Sequence, residues 1–248
     1  MLCVHGSAAH AHWFDFVASG FTPDYQVLAL DLRGHGESEA ANPPEYHYND
    51  YAEDLNAIVE ALDLRDFVLI GHSMGGAVTL FYLAHHPTRA SKYVLIDTAV
   101  NLSAERISEM RNIGSRPGRD FATRDEVVDR YRLRPGNSLA VPEVVRYIAG
   151  HSVKQNADGT WRYKFDRNVY ATREPYDGNV LWPNVKIPTL LVRGDRSKRL
   201  TDEVVENVRK GAPQADLVEV AHSDHHVTLD NPQGFIDAVK PWLSRASR

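Results

Sequence analysis

One cysteine in 248 residues excludes an intrachain disulfide framework, and Cys3, set in a short apolar run, cannot brace the fold covalently. A reducing, cytoplasmic setting is the expectation. Long apolar runs are missing too: nothing approaches the roughly 18 residues of a membrane span, and no charged region with a signal-like core opens the chain. Positive charge is not in excess, because 28 Lys and Arg stand against 33 Asp and Glu for a formal charge of -5. That balance argues against a general nucleic-acid-binding role. What the chain does have is a globular composition, with 43% hydrophobic and 25% charged residues, 13 prolines and 16 glycines. Its length suits one α/β domain with an insertion.

Apolar, strand-like runs recur at Leu2 to His5, Tyr25 to Asp31, Phe67 to Gly71, Lys92 to Asp97, Thr189 to Gly194 and Ala215 to Ala221. Helix-like segments separate most of them. Tyr51 to Leu62 places Tyr51, Leu55, Ile58, Val59 and Leu62 on one face, with Asp50 before it as a cap. This alternation predicts a mostly parallel, doubly wound sheet with helices on both faces, and ligands belong at the carboxyl ends of its strands. The rhythm breaks between Asn101 and Trp182, where amphipathic segments are interrupted by Arg116-Pro117-Gly118, Arg134-Pro135-Gly136 and Asn156-Ala157-Asp158-Gly159. We read 1–100 and 183–248 as the core and 101–182 as a mainly helical lid, with Asp158-Gly159 as a short hairpin turn. Residues 101–180 carry 14 Lys and Arg against 11 Asp and Glu. The ordinary reading is a solvated face of paired charges; the sharper one is attraction of an anionic substrate to the mouth of the site.

The run Gly71-His72-Ser73-Met74-Gly75-Gly76 joins a wholly apolar, β-branched stretch to a helix on which Ala77, Leu80, Phe81 and Ala84 recur until Pro87. A serine in that strand-to-helix turn is a nucleophile elbow, which presents the hydroxyl above the sheet where the first amides of the helix converge. This turn lacks the Gly-Lys-Ser/Thr ending of a phosphate loop and the Gly-x-Gly-x-x-Gly of a dinucleotide site. No cofactor and no metal is expected. A serine hydroxyl is a poor nucleophile at neutral pH and needs a base, which in turn needs an orienting acid. After the last strand-like run comes Ala221-His222-Ser223-Asp224-His225-His226, and then Asn231-Pro232 before a final amphipathic helix.

With these motifs the chain resembles the α/β-hydrolase superfamily, as a serine esterase-like member with a helical lid. The resemblance places the histidine at His225, seven positions before Pro232, with His222 and His226 as the alternatives; the family's usual preceding glycine is replaced by Asp224. Val4-His5-Gly6-Ser7 is similar to the family's His-Gly loop. By that match the Ser7 and Met74 amides would form the oxyanion hole. Asp31 to Ser38 looks like a further family loop, to which we give a structural role. The family's usual acid position, third beyond Gly194, holds Ser197. The acid is therefore assigned to Asp97, at the end of the strand following the nucleophile helix, with Asp195 as the alternative.

Family members usually carry two further strands before the His-Gly loop. Here His5 is the fifth residue, which implies either a truncated start or a small sheet; in the latter case Tyr25 to Asp31 would become a sheet edge open to a homodimer. The implied activity is hydrolysis of a carboxylic ester or related acyl substrate through an acyl-enzyme. The alternatives are hydrolysis of a carbon-carbon bond in a ring-cleavage product, or a slow-turnover ligand receptor of the same fold.

Overall fold

The computed structural model describes residues 1–86 and 89–245; Pro87, read above as a helix stop, lies outside them. The chain begins with β1 (Leu2–Val4), α1 (Asp15–Phe21), β2 (Leu28–Leu30), α2 (Tyr48–Ala61), β3 (Phe67–His72), α3 (Met74–His85) and β4 (Ala90–Ile96). An insertion then runs through β5 (Asn101–Leu102), α4 (Ala104–Gly114), α5 (Arg124–Asp129), α6 (Pro142–His151), β6 (Val153–Gln155), β7 (Trp161–Tyr163), α7 (Asn168–Ala171) and β8 (Tyr176–Asp177). The sheet resumes with β9 (Thr189–Gly194), α8 (Asp202–Gly211) and β10 (Ala215–Val220), followed by α9 (Val227–Asp230) and α10 (Pro232–Leu243).

Six strands form one parallel sheet in the order β10-β9-β4-β3-β1-β2. All six stretches that the apolar runs mark are strands, and the longer run Tyr25 to Asp31 is strand only over β2. Every residue of β3 is buried, as a strand covered on both faces requires. The pleat sorts side chains by parity. Leu69, Tyr93, Leu95 and Leu191 face a core shared with α2, α3 and α8. Val68, Ile70, Val94, Ile96, Leu190 and Val192 face one shared with α1 and α10. At the edge, β2 pairs with β1 alone among the described residues, with Leu28 and Leu30 half-buried and Ala29 exposed.

Helix α2 corrects one detail. It starts at Tyr48, so Asp50 is not the residue before the helix but the third within it, where its carboxylate accepts the His47 N–H at 2.8 Å. The capping chemistry is the reciprocal half of a capping box. In the loop after β2, Asp31 accepts the Ala11 and Glu37 amides at 2.7 and 2.8 Å, which ties this loop to the one after β1.

Within the insertion, β5 and β8 pair antiparallel at its base, and β6 and β7 form a hairpin whose turn puts Gly159 at φ +87°. Phe121, Val127, Tyr131, Leu133 and Ile148 make a small core of their own, extended by Trp13 and Leu229 from the sheet-bearing part. Asp230 adds a polar clasp: its Oδ1 accepts from Leu139 N–H at 2.8 Å, Ala140 N–H at 3.0 Å and the Ser138 hydroxyl, while its Oδ2 accepts the Asp224 N–H at 2.8 Å. The insertion is thus fastened to the loop that carries His225. Among the described residues no helix is long and apolar enough to cross a membrane.

Candidate active site

Ser73 is the hinge between β3 and α3, at φ 54° and ψ -116°. A side chain held in that region costs on the order of 1–3 kcal/mol and persists only where neighbours over-determine it. They do so here. The Ser73 N–H donates to Ile96 O at 3.0 Å and its carbonyl accepts the Thr98 hydroxyl at 3.1 Å, so both ends of the peptide are fastened to β4 and the residues just beyond it. Gly75 lies against β1, where a Cβ would press into the carbonyl oxygens of Val4 and His5, and at Gly71 it would meet the Thr79 side chain. Glycine there lets α3 start directly on the sheet and leaves Ser73 half-buried at its edge.

The loop between β10 and α9 brings His225 to this serine. Its Nε2 lies 3.0 Å from Ser73 Oγ and its Nδ1 lies 2.7 Å from Asp97 Oδ2. The ring is 4% exposed and Asp97 is fully buried. The backbone holds the loop in place, with the His225 N–H donating to Asp224 Oδ1 at 2.7 Å and His72 Nε2 donating to His225 O at 2.8 Å. The aspartate that replaces the family's glycine therefore anchors the histidine it precedes. Asp97 sits at φ 40° beyond β4, its N–H donating to Val192 O at 2.8 Å.

Burial pushes the Asp97 carboxyl up to about 7, against the pull of the Ser197 hydroxyl and the nearby Arg199 guanidinium. Burial, then the neighbouring His72 and Arg199, holds His225 well below the usual histidine range. The imidazole is thus neutral, as a base for a serine proton must be. With Asp97 ionised, Nδ1 carries the proton and Nε2 faces Ser73 with its lone pair.

Ser197, at the position where the resemblance expects the acid, donates its hydroxyl to the same Asp97 Oδ2 at 2.7 Å. Nothing in the sequence pattern assigned it that part; only the adjacency of β4 and β9 does. Asp195 is exposed, and its Oδ1 accepts the Ser223 N–H at 3.0 Å, which holds its carboxyl below the usual range. The structure brings Asp97 to His225 and leaves Asp195 as a brace for the histidine loop. His222 is exposed, whereas His226 is buried and donates Nε2 to Pro135 O at 3.2 Å.

Met74 is the first residue of α3, so its amide lies outside the intrahelical ladder. Ser7 and Met74 line the same cavity as Ser73 and His225. Behind Ser7, His5 is fully buried, its Nδ1 donating to Gly6 O at 2.7 Å while its Nε2 accepts the Leu32 N–H at 3.1 Å. That histidine fixes the turn that carries the Ser7 amide. The cavity measures about 330 Å³. It adjoins a more basic one of about 760 Å³ beneath the insertion, sharing Ser7, Trp13, Ile113, Arg134 and Tyr170 with it. Ligand atoms of His72, His225 and His226 lie within 4.8 Å of one another, but both His225 nitrogens are engaged with Asp97 and Ser73.

Known proteins share this architecture. A family model described as alpha/beta hydrolase fold matches residues 1–232. The chain belongs to the alpha/beta hydrolase family. Its relatives include esterase YbfF of Escherichia coli, 25% identical over 98% of this chain and 92% of that one. Another, 2-(acetamidomethylene)succinate hydrolase of Mesorhizobium japonicum, is 26% identical over 98% of this chain and 87% of that one. A crystal structure of E-2-(acetamidomethylene)succinate hydrolase superposes with a TM-score of 0.84 at 23% identity, covering 99% of this chain and 91% of that one; it shows the shared fold. The relatives' names support a hydrolase.

Proposed function

We propose that this alpha/beta hydrolase cleaves a carboxylic ester or a related acyl substrate through a serine acyl-enzyme. The observation that carries the reading is the continuous relay from Ser73 Oγ through His225 to Asp97 Oδ2, at 3.0 and 2.7 Å. In the first half-reaction His225 Nε2 takes the Ser73 proton as Oγ attacks the carbonyl carbon. The negative charge that develops on the carbonyl oxygen is received by the Ser7 and Met74 amides, each worth about 3 kcal/mol in comparable oxyanion holes. His225 returns the proton to the leaving alcohol. In the second half-reaction it takes a proton from water, which releases the acid and restores Ser73. Asp97 holds the imidazole by Nδ1 and offsets the imidazolium charge from a fully buried position.

The test is labelling with a fluorophosphonate, followed by a panel of aryl esters graded by acyl length. Wild type should be labelled at Ser73 and show ester turnover. Ser73→Ala should lose both, with turnover down by about 10⁴-fold or more. A wild type that takes no label would end the proposal.

A further inference from the structure

The alpha/beta hydrolase reading explains Ser73, His225 and Asp97 but leaves one buried charge without a purpose. Arg173, beyond α7, is 1% exposed. Among the described residues its Nε and Nη1 have no hydrogen-bond partner, and its Nη2 reaches only the thioether of Met74, at 2.7 Å. Other arginines of the chain meet carboxylates: Arg33 grips Asp54 through Nε and Nη2 at 2.5 and 2.6 Å, and Arg193 meets Asp202 and Glu219 at 2.6 and 3.0 Å. Arg173 has no such acid. The adjacent Glu174 turns outward to His47 at 3.1 Å. The groups facing Arg173 are aromatic: its guanidinium lies 5.1 Å from the centre of the Tyr48 ring, and burial keeps the phenols of Tyr51 and Tyr176 protonated far above their usual range. A buried guanidinium with open donors is costly unless an anion completes it.

The position of that charge is informative. Arg173 lines the same cavity as Ser73 and His225, and it touches Met74, the residue whose amide is proposed to receive the oxyanion. Arg199, half-buried, and Arg106 line that cavity as well, whereas its one acidic lining residue, Glu109, is already held by Arg106 at 2.6 Å. The cavity therefore has a net positive wall beside the nucleophile.

We infer that the substrate's acyl portion carries a second carboxylate a short distance from the scissile carbonyl, received by the open donors of Arg173. The substrate class is the half-ester, or other half-acyl derivative, of a short dicarboxylic acid. A planar guanidinium with unpaired donors in the cavity wall suits a carboxylate held by a charge-assisted hydrogen bond. The inference rests on the serine hydrolase reading for its chemistry, but the anion site can be read without turnover.

Two measurements test it. The first compares kcat/KM for an aryl hemisuccinate and hemiglutarate with the neutral aryl methyl diesters of the same acids. Wild type should favour the anionic ester by about 10- to 100-fold, the range expected of a hydrogen-bonded charge. Arg173→Gln should bring the ratio to about one, and Arg173→Lys should fall between. Arg146→Gln, on the exposed face of α6, should leave the ratio as it is. The second measurement is thermal shift of the wild type with succinate against succinamide, which needs neither catalysis nor a variant. Succinate should raise Tm more than the diamide. Equal shifts, a wild-type ratio of one or less, or a ratio that survives Arg173→Gln would overturn the inference. Loss of fluorophosphonate labelling would instead count against the serine hydrolase reading, and the succinate shift would still decide the anion site.

Discussion

The carboxyl end of the sheet, bearing Ser73, Asp97 and His225, and the insertion facing it across the cavity follow different plans. At the sheet end, position is enforced by the backbone. Ser73 is pinned to Ile96 and Thr98, Gly75 leaves no room beside β1, and His225 is tied through its own N–H and carbonyl. In the insertion, long arginines do the lining. Arg130 and Arg162 are exposed, and Arg130 meets the half-buried Glu126 at 3.5 Å. Backbone-enforced geometry suits a reaction that tolerates little displacement of its atoms. Long, exposed cationic side chains suit attraction of a charged substrate, where charge and reach matter more than fixed coordinates.

That contrast can be broken most sharply at the acid. Asp97→Asn should lower kcat by about 10³- to 10⁴-fold, because the amide favours the wrong tautomer of His225. Asp195→Asn should stay within about threefold of wild type in the same ester assay; a large loss there would mean that the brace on the histidine loop matters as much as the relay. Next comes the packing beneath the elbow. Gly75→Ala sets a methyl against the β1 carbonyls and should destabilise the protein by about 2–4 kcal/mol, read by denaturant unfolding. An unchanged midpoint would show that this end of the sheet is softer than its contacts imply.

Ser197→Ala should have a smaller effect, visible mainly as a displaced pH profile. The Ser197 hydroxyl lowers the Asp97 pKa from what burial alone would set. Removing it raises that pKa further, so the working carboxylate form is lost at a higher pH and the acid limb of kcat/KM moves toward alkaline pH. A shift toward acid would contradict this sign. The smallest effect belongs to the insertion's rim. Arg162→Gln should raise KM for an anionic ester about two- to threefold at low salt, leave the neutral ester alone, and lose its effect at high ionic strength. An equal change for both esters would remove the steering role.

Much of the sheet's catalytic end was legible in the chain because its demands are local. A parallel strand buried on both faces must be apolar throughout, and a helix launched from it needs small residues, so Phe67 to Gly76 announces itself. His225 was legible from its place between the last strand and Pro232. Ser197 and Arg173 were not, for a common reason: each depends on a neighbour distant in sequence. Ser197 meets Asp97 only because β9 lies beside β4. Arg173 matters because of the acid it does not meet, and a missing partner leaves no trace in composition or spacing. The sequence reading starts α2 three residues late because Asp50 reads as a cap, whereas the backbone coils from Tyr48, which is buried with Tyr51 and Leu55.

The shared use of Asp97 Oδ2 by His225 Nδ1 and the Ser197 hydroxyl has an evolutionary reading. Two neighbouring strands each end in a residue that can reach the same spot, so the negative charge behind the imidazole is not the property of one of them. A lineage could pass it from β9 to β4, or back, through an intermediate carrying an acid at both ends, without moving the histidine or losing its support along the way.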